Sequence, residues 1–227
     1  MGTPTQPVSS SLDLFGTLVR VDRPAEPARA VARELRRHGV TVPGDWATAY
    51  ATPHVEVPAG EELPLPTHVL AALESRGVDA DDRTVRRAVC AAFDPTSPDT
   101  SAEPAPEDRS GVETRAGAEG LLSAARARGP VAVCSNCSVP GLVERTLEAA
   151  DLGPFDAVVT SVGCGRRKPA AEIFEITAAR LGVEPTELVH VGDDPRTDGG
   201  IESVGGRFLH ADGDLGTVTD RLTTAGR

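Results

Sequence analysis

Leu188-Val189-His190-Val191-Gly192-Asp193-Asp194-Pro195-Arg196-Thr197-Asp198 is the stretch that decides the fold. A short run rich in β-branched residues stops on a glycine and two acids, and a helical segment near Thr197–Val204 follows. That is a strand emptying into a polar turn and then a helix. A second strand at Arg207–His210 and a last helix complete the unit. Working backwards, the same rhythm repeats. Pro169–Leu181 reads as a helix, Phe155–Thr160 as a strand, and Val131–Cys134 as another strand. Between those two strands, Ser138 and Pro140 are expected to cap a helix that turns Leu142, Val143 and Leu147 inward. Ala116–Arg128 forms the helix before them. Strands alternating with helices of 10–15 residues imply an α/β fold, a doubly wound parallel sheet of Rossmann-like type. No repeat of solenoid period interrupts it.

The N-terminal strand ends at Leu12-Asp13-Leu14 and runs into Phe15-Gly16-Thr17 and Leu18-Val19. The chain then leaves the α/β rhythm. Pro24 and Pro27 open a helix carrying Ala28, Val31 and Leu35, which closes on Arg36-Arg37-His38-Gly39 with cations in its last turn. A short helix is expected around Trp46–Tyr50. A third, through Leu65, Val69 and Leu73, stops before Gly77. A fourth starts at Asp81-Asp82 and presents Val85, Val89 and Phe93. Residues 95–111 hold Pro95, Pro98, Pro104 and Pro106 among small polar residues, the composition of a linker. The expected organisation is therefore an α/β core at 1–20 and 112–227, an inserted helical domain at 21–94, and a linker at 95–111.

Composition excludes several classes. Acidic residues outnumber basic ones 34 to 23, a net charge of −11. Nucleic acid, which rewards a basic footprint, is not an expected partner. Apolar residues make up 39 % of the chain and aromatics 3 %, so Ala, Val and Leu must fill the core. Apolar runs fall far short of the roughly 20 residues of a membrane span. No secretory signal is seen, so the expected location is cytoplasmic. Lys168 is the only lysine. Acidity with lysine depletion points to a salt-rich, halophilic setting, where ions screen carboxylate repulsion. Cys134 and Cys137 have CxxC spacing, but no second ligand pair accompanies them, and core packing is the expected role.

In a doubly wound sheet, ligands bind at the carboxyl ends of the strands. Asp13 ends the first strand, Ser135-Asn136 follows the next candidate, and Lys168 precedes a helix. Asp193, Asp194 and Asp198 follow the strand quoted above. Carboxylates brought together repel one another unless a hard cation lies between them, and Mg²⁺ takes such oxygen ligands. A hydroxyl and an ammonium suit phosphoryl or carboxylate oxygens. Asp194 reads equally as a metal neighbour or as a turn acid before Pro195.

The four pieces, Asp13-Leu-Phe-Gly16-Thr17, Ser135-Asn136, Lys168-Pro169 and Gly192-Asp193 through Asp198, resemble in order and spelling the motifs of the haloacid-dehalogenase-like (HAD) hydrolase superfamily. The insertion resembles its C1-type helical cap. The resemblance implies a nucleophilic Asp13 that forms an aspartyl phosphate, with Ser135 and Lys168 holding phosphoryl oxygens. Gly16, Thr17 and Asn136 would bind substrate. Mg²⁺ would be held by Asp13, the backbone carbonyl of Phe15, Asp193 and Asp198. The expected substrate is a small phosphorylated molecule, and the oligomeric state stays open.

One position departs from that pattern. Phosphatases of the superfamily carry a general acid two residues after the nucleophile, where this chain has Phe15. His54 and His68 of the insertion could supply a proton, although a structural role is the commoner one for such residues. An aromatic at this position also resembles the dehalogenase branch, which hydrolyses C–X bonds without metal, yet Asp193 belongs to the metal-dependent pattern. A phosphate-binding module without turnover is the third alternative.

Overall fold

The computed structural model describes residues 9–96 and 111–224. The chain opens with β1 (Ser9–Leu12) and β2 (Val19–Val21) and passes through α1 (Pro27–Arg37), α2 (Trp46–Ala51), α3 (Leu65–Glu74) and α4 (Asp82–Ala92). It returns through β3 (Val112–Thr114) and then alternates: α5 (Ala118–Arg126), β4 (Val131–Ser135), α6 (Leu142–Ala149), β5 (Ala157–Thr160), α7 (Ser161–Cys164) and α8 (Ala171–Leu181). β6 (Leu188–Gly192), β7 (Arg207–His210) and α9 (Leu215–Thr224) complete it. Residues 97–110 of the expected linker lie outside the described residues.

Five strands form one parallel sheet in the order β5-β4-β1-β6-β7. The strands after β1 add outward first on one side and then on the other. The winding therefore reverses between β1 and β6, and a crevice opens there at their carboxyl ends. Asp13 and Asp193 stand one residue beyond β1 and β6 respectively.

Both faces of the sheet are covered. On one, Leu12, Val131, Val133, Val189, Val191 and Leu209 pack with Leu121 and Leu122 of α5 and Leu215, Val218 and Leu222 of α9. On the other, Cys134, Val159 and Leu188 meet Ile173, Phe174 and Ala178 of α8, together with Ile201. Each large aliphatic side chain buried this way contributes about 1.5–3 kcal/mol, so a core with few aromatics is sufficient.

Two local expectations are corrected, and one pairing is new. α6 begins after Gly141, in the left-handed region at φ +72°, with no side-chain cap. Ser138 does not cap it, because its hydroxyl is given to Glu62. The segment after Thr197 is a 3₁₀ helix, Asp198–Val204, where Gly199 and Gly200 stand and where any side chain at Gly200 would strike Pro169. β2 and β3 pair antiparallel through Val21 and Val112, so the chain enters and leaves the inserted helices side by side. No helix among the described residues is long and apolar enough to cross a membrane.

The inserted helices α1–α4 share the larger core with the sheet. Trp46 anchors α2 by donating Nε1–H to the Ala28 carbonyl at 2.8 Å. The loop before α3 docks on the α/β core. Glu62, buried, accepts hydrogen bonds from Ser138 Oγ at 2.7 Å and Ser161 Oγ at 2.6 Å, while its backbone N–H donates to Gly165.

Candidate active site

β1 delivers Asp13 to the crevice, where its backbone N–H donates to the Val191 carbonyl and locks the loop after β1 to β6. Gly16, at φ +89°, turns the loop back. A Cβ there would strike the Asp193 carboxylate, so only glycine lets the two segments approach. Thr17 is buried and donates Oγ1–H to Asp193 Oδ1 at 3.1 Å. Arg115, just after β3, donates to the carbonyls of Gly16, Thr17 and Gly213, fixing the loop from behind.

Lys168 is 3 % exposed and stands between two carboxylates. Nζ donates to Asp13 Oδ1 at 2.8 Å, to Asp198 Oδ1 at 2.6 Å and to the Cys134 carbonyl at 2.9 Å, which uses all three of its protons. Burial alone would favour the neutral amine. The negative charges of Asp13 and Asp198 outweigh it and hold the group above the usual lysine value. Asn136 clamps this residue: its Oδ1 accepts from Lys168 N–H at 2.8 Å, and its Nδ2 donates to the Lys168 carbonyl at 2.9 Å.

Asp198 is satisfied on both oxygens. Oδ1 faces Lys168 and His190 Nε2, the latter at 3.1 Å, and Oδ2 accepts from Asp194 N–H at 3.0 Å. A Cβ on Gly192 would strike this carboxylate. Burial raises the Asp198 pKa, but the His190 bond and the Lys168 charge prevail and keep it ionised. An ionised carboxylate only accepts, so His190 carries its proton on Nε2, and Nδ1 accepts from Ser11 Oγ at 2.8 Å. A buried chain Ser11–His190–Asp198–Lys168–Asp13 thus runs from the paired strands β1 and β6 to the crevice.

Asp13, Asp193 and Asp198 each offer an oxygen atom within 4.8 Å of the others. Partial burial and the nearby Asp13 charge raise the Asp193 pKa, the mark of carboxylates that need a counter-charge. These hard oxygen donors fit a divalent cation such as Mg²⁺. Ser135 Oγ is buried without a hydrogen-bond partner, which suits an anionic oxygen arriving with a ligand.

Other expected residues lie elsewhere. Asp194 pairs with Arg196, an exposed turn contact that lowers its pKa. His54 Nε2 bonds the Ala49 carbonyl and His68 Nε2 the Tyr50 carbonyl, so both rings brace α2. Cys134 and Cys137 are buried and free, each thiol pushed up to about 11 by that burial. Sequence reasoning missed Ser11, His190, Arg115 and Glu62. Only His190, inside an apolar strand two residues before the Gly192-Asp193 turn, carried a local signal.

The fold and this site define a hydrolase of the HAD class, and the comparisons agree. The haloacid dehalogenase-like hydrolase family model matches residues 11–200, and the chain belongs to that family. A HAD phosphatase from Thermococcus onnurineus is similar in structure, with a TM-score of 0.54 and 19 % identity, over 91 % of this chain and 87 % of that one. A HAD-family enzyme from Bacteroides thetaiotaomicron, solved with magnesium and inorganic phosphate, is similar with a TM-score of 0.52 and 15 % identity, over 92 % and 98 %. CbbY from Rhodobacter sphaeroides, solved with phosphate, gives 0.53 and 19 % over 91 % and 86 %. No curated protein matches the chain in sequence.

Proposed function

We propose that this chain is a Mg²⁺-dependent phosphatase that hydrolyses a small phosphorylated molecule through an aspartyl phosphate on Asp13. The observation that carries this reading is the unpartnered, buried Ser135 Oγ, one residue beyond the carbonyl that holds the Lys168 ammonium. Ser135 donates to one phosphoryl oxygen and Lys168 offsets negative charge beside another. With Oδ1 held by Lys168, Oδ2 of Asp13 attacks phosphorus as the ester P–O bond breaks and its electron pair departs on the substrate's oxygen; water later attacks the acyl phosphate, freeing inorganic phosphate and the Asp13 carboxylate. Asp13, the Phe15 carbonyl and Asp193 would hold Mg²⁺, which when bound supplies positive charge to the phosphoryl oxygens. Thr17 keeps Asp193 in place, and Asp198 with Asn136 keeps Lys168 in place. The inserted helices, 21–94, serve as a C1-type cap over the core at 1–20 and 112–227. The magnesium and phosphate of the similar Bacteroides enzyme support the same assignment.

Phe15 favours a second reading, metal-independent C–X hydrolysis, and the close Asp13–Asp193 carboxylates weigh against it. The test is p-nitrophenyl phosphate hydrolysis by wild type and Asp13→Asn, with and without Mg²⁺, in molar KCl. Mg²⁺-dependent turnover lost in the variant is the expected result. Halide release from a 2-haloacid without metal would replace the first reading by the second. Phosphate binding without turnover would make the chain a binding module.

A further inference from the structure

A cavity of about 330 Å³ lies between the nucleophile loop, the start of α6 and the inserted helices. It adjoins the reacting centre, because Phe15 is two residues beyond Asp13 and Asn136 holds Lys168. Building on the phosphatase reading, we propose that the substrate is an aryl phosphate, a phosphomonoester of a phenol-type hydroxyl.

The first argument is the lining. The rings of Phe15 and Phe93 and the aliphatic side chains of Leu65, Val139 and Leu142 contribute to it. Two polar side chains of the lining, Asn136 and Ser138, are fully committed, and one oxygen of Asp94 is. Asn136 uses both ends of its amide on Lys168. Ser138 gives its proton to Glu62, and Asp94 Oδ1 accepts from Thr96 N–H and Oγ1. Arg167 lies 3.7 Å from Glu62, and Arg23 sits over the Phe15 ring at 5.6 Å. Asp22, Arg23 and Arg167 are exposed to solvent, and a sugar or polyol hydroxyl set against the apolar residues loses its water without a partner, at about 1–3 kcal/mol per unpaired group. An aromatic ring loses nothing comparable and packs against Phe15 and Phe93.

The second argument is the proton. When Asp13 bonds to phosphorus, the P–O bond breaks and its electron pair goes to the leaving oxygen. An alkoxide, whose conjugate acid has a pKa of about 16 like water, needs a proton in the transition state. A phenolate, at about 10 like tyrosine, leaves without one and is protonated by solvent. The side chain beside the nucleophile is a phenyl ring with no proton to give. Asp22 and Asp94 are the carboxylates of the lining, and Asp22 is exposed.

The experiment measures kcat/KM with Mg²⁺ for ring-substituted phenyl phosphates, acetyl phosphate, glycerol 2-phosphate and a hexose phosphate. Expected are a preference for aryl over alkyl esters of about 10²-fold or more, the share of a missing general acid, and a steep fall as the leaving-group pKa rises. Leu65→Asn should lower the ratio of phenyl to acetyl phosphate turnover about tenfold, equivalent to about 1.4 kcal/mol. Phe93→Asn should act in the same direction, and acetyl phosphate turnover reports that each variant is folded. Hexose phosphate turned over as well as phenyl phosphate would overturn the proposal. So would a flat leaving-group dependence that steepens in Asp22→Asn or Asp94→Asn. Inactivity towards every phosphate, acetyl phosphate included, would instead overturn the phosphatase reading beneath it.

Discussion

Lys168 Nζ lies 2.6 Å from Asp198 Oδ1, and each side chain is only 2 % exposed. Two charges that deep are stable only together, because their attraction and hydrogen bonds offset a desolvation penalty that neither alone could meet. Lys168→Met therefore leaves Asp13 and Asp198 uncompensated. The expected loss is about 3–5 kcal/mol of stability, read as a lower urea midpoint. Asp13→Asn, which leaves the Asp198 pair in place, should cost far less stability while abolishing turnover. A Lys168→Met variant as stable as wild type would mean that the ion pair does not hold the site.

The next link, His190, makes stability depend on pH. Burial lowers the pKa of this imidazole below its ordinary 6.5. Below pH 6.5 the unfolded chain takes up a proton that the native chain refuses, so the unfolded state gains. The His190 contribution is complete above 6.5 and falls away as pH drops towards the folded pKa, by up to about 1.4 kcal/mol per pH unit. Urea midpoints at pH 7.5 and 5.5 should differ more for wild type than for His190→Gln. Equal differences would show that the ring is not held neutral.

Glu62 ties the loop before α3 to the α/β core through Ser138 and Ser161. Glu62→Ala removes the carboxylate that accepts from the half-buried Ser138 and the buried Ser161, and leaves Ser161 only the longer bond to the Cys137 carbonyl at 3.3 Å, a cost of about 1–3 kcal/mol. Limited proteolysis should then cut the Gly60–Leu65 loop faster than in wild type. Unchanged cleavage would show that the loop is held by its other bonds, those of its backbone to Gly165, Ser138 and Arg167 and the Glu61–Arg166 pair.

The buried thiols give a further check. With Cys134 and Cys137 pushed up to about 11, neither is a thiolate at pH 8. Iodoacetamide should label the half-buried Cys90 and Cys164 first and reach Cys134 only after denaturation. Rapid labelling of Cys134 in the native protein would revive a redox reading of the CxxC.

The acidic surface predicts a response to salt. Raising KCl from 0.1 to 2 M should increase the thermal midpoint, because ions screen repulsion within a chain of net charge −11. A midpoint that falls with KCl would remove the salt-adapted reading.

The sheet and the crevice acids were legible because their signals are local. Apolar runs end on Ser135 and Asp193, the Asp13-Leu-Phe-Gly-Thr17 motif marks the first crevice acid, and the only lysine of the chain stands just before a proline and a helix. What escaped depends on register. Ser11 and His190 are 179 residues apart and meet only because β1 and β6 pair with those two residues level. β1 itself, Ser9-Ser10-Ser11-Leu12, is fully buried, yet its serines carry no apolar pattern, and only the motif that follows marks it as a strand. Glu62 lies 99 residues from Ser161, and nothing near it in sequence announces the contact. The 3₁₀ helix after Thr197 escaped because periodicity does not register how closely Gly200 meets Pro169.

The β2–β3 ribbon sits immediately after the Asp13 loop, and Arg115 N–H bonds the Leu18 carbonyl at its base. Every covalent connection to the inserted helices passes through this one pair of strands. The covalent pivot between the helices and the sheet is therefore this ribbon, next to Asp13, while the Glu62 loop is their second, non-covalent attachment. The same arrangement makes the insertion a cassette: its two ends are neighbours, so a segment of different length or sequence can be spliced between Val21 and Val112 while the five-stranded sheet keeps its register. In such a chain, what is bound and how it is cleaved can be inherited separately.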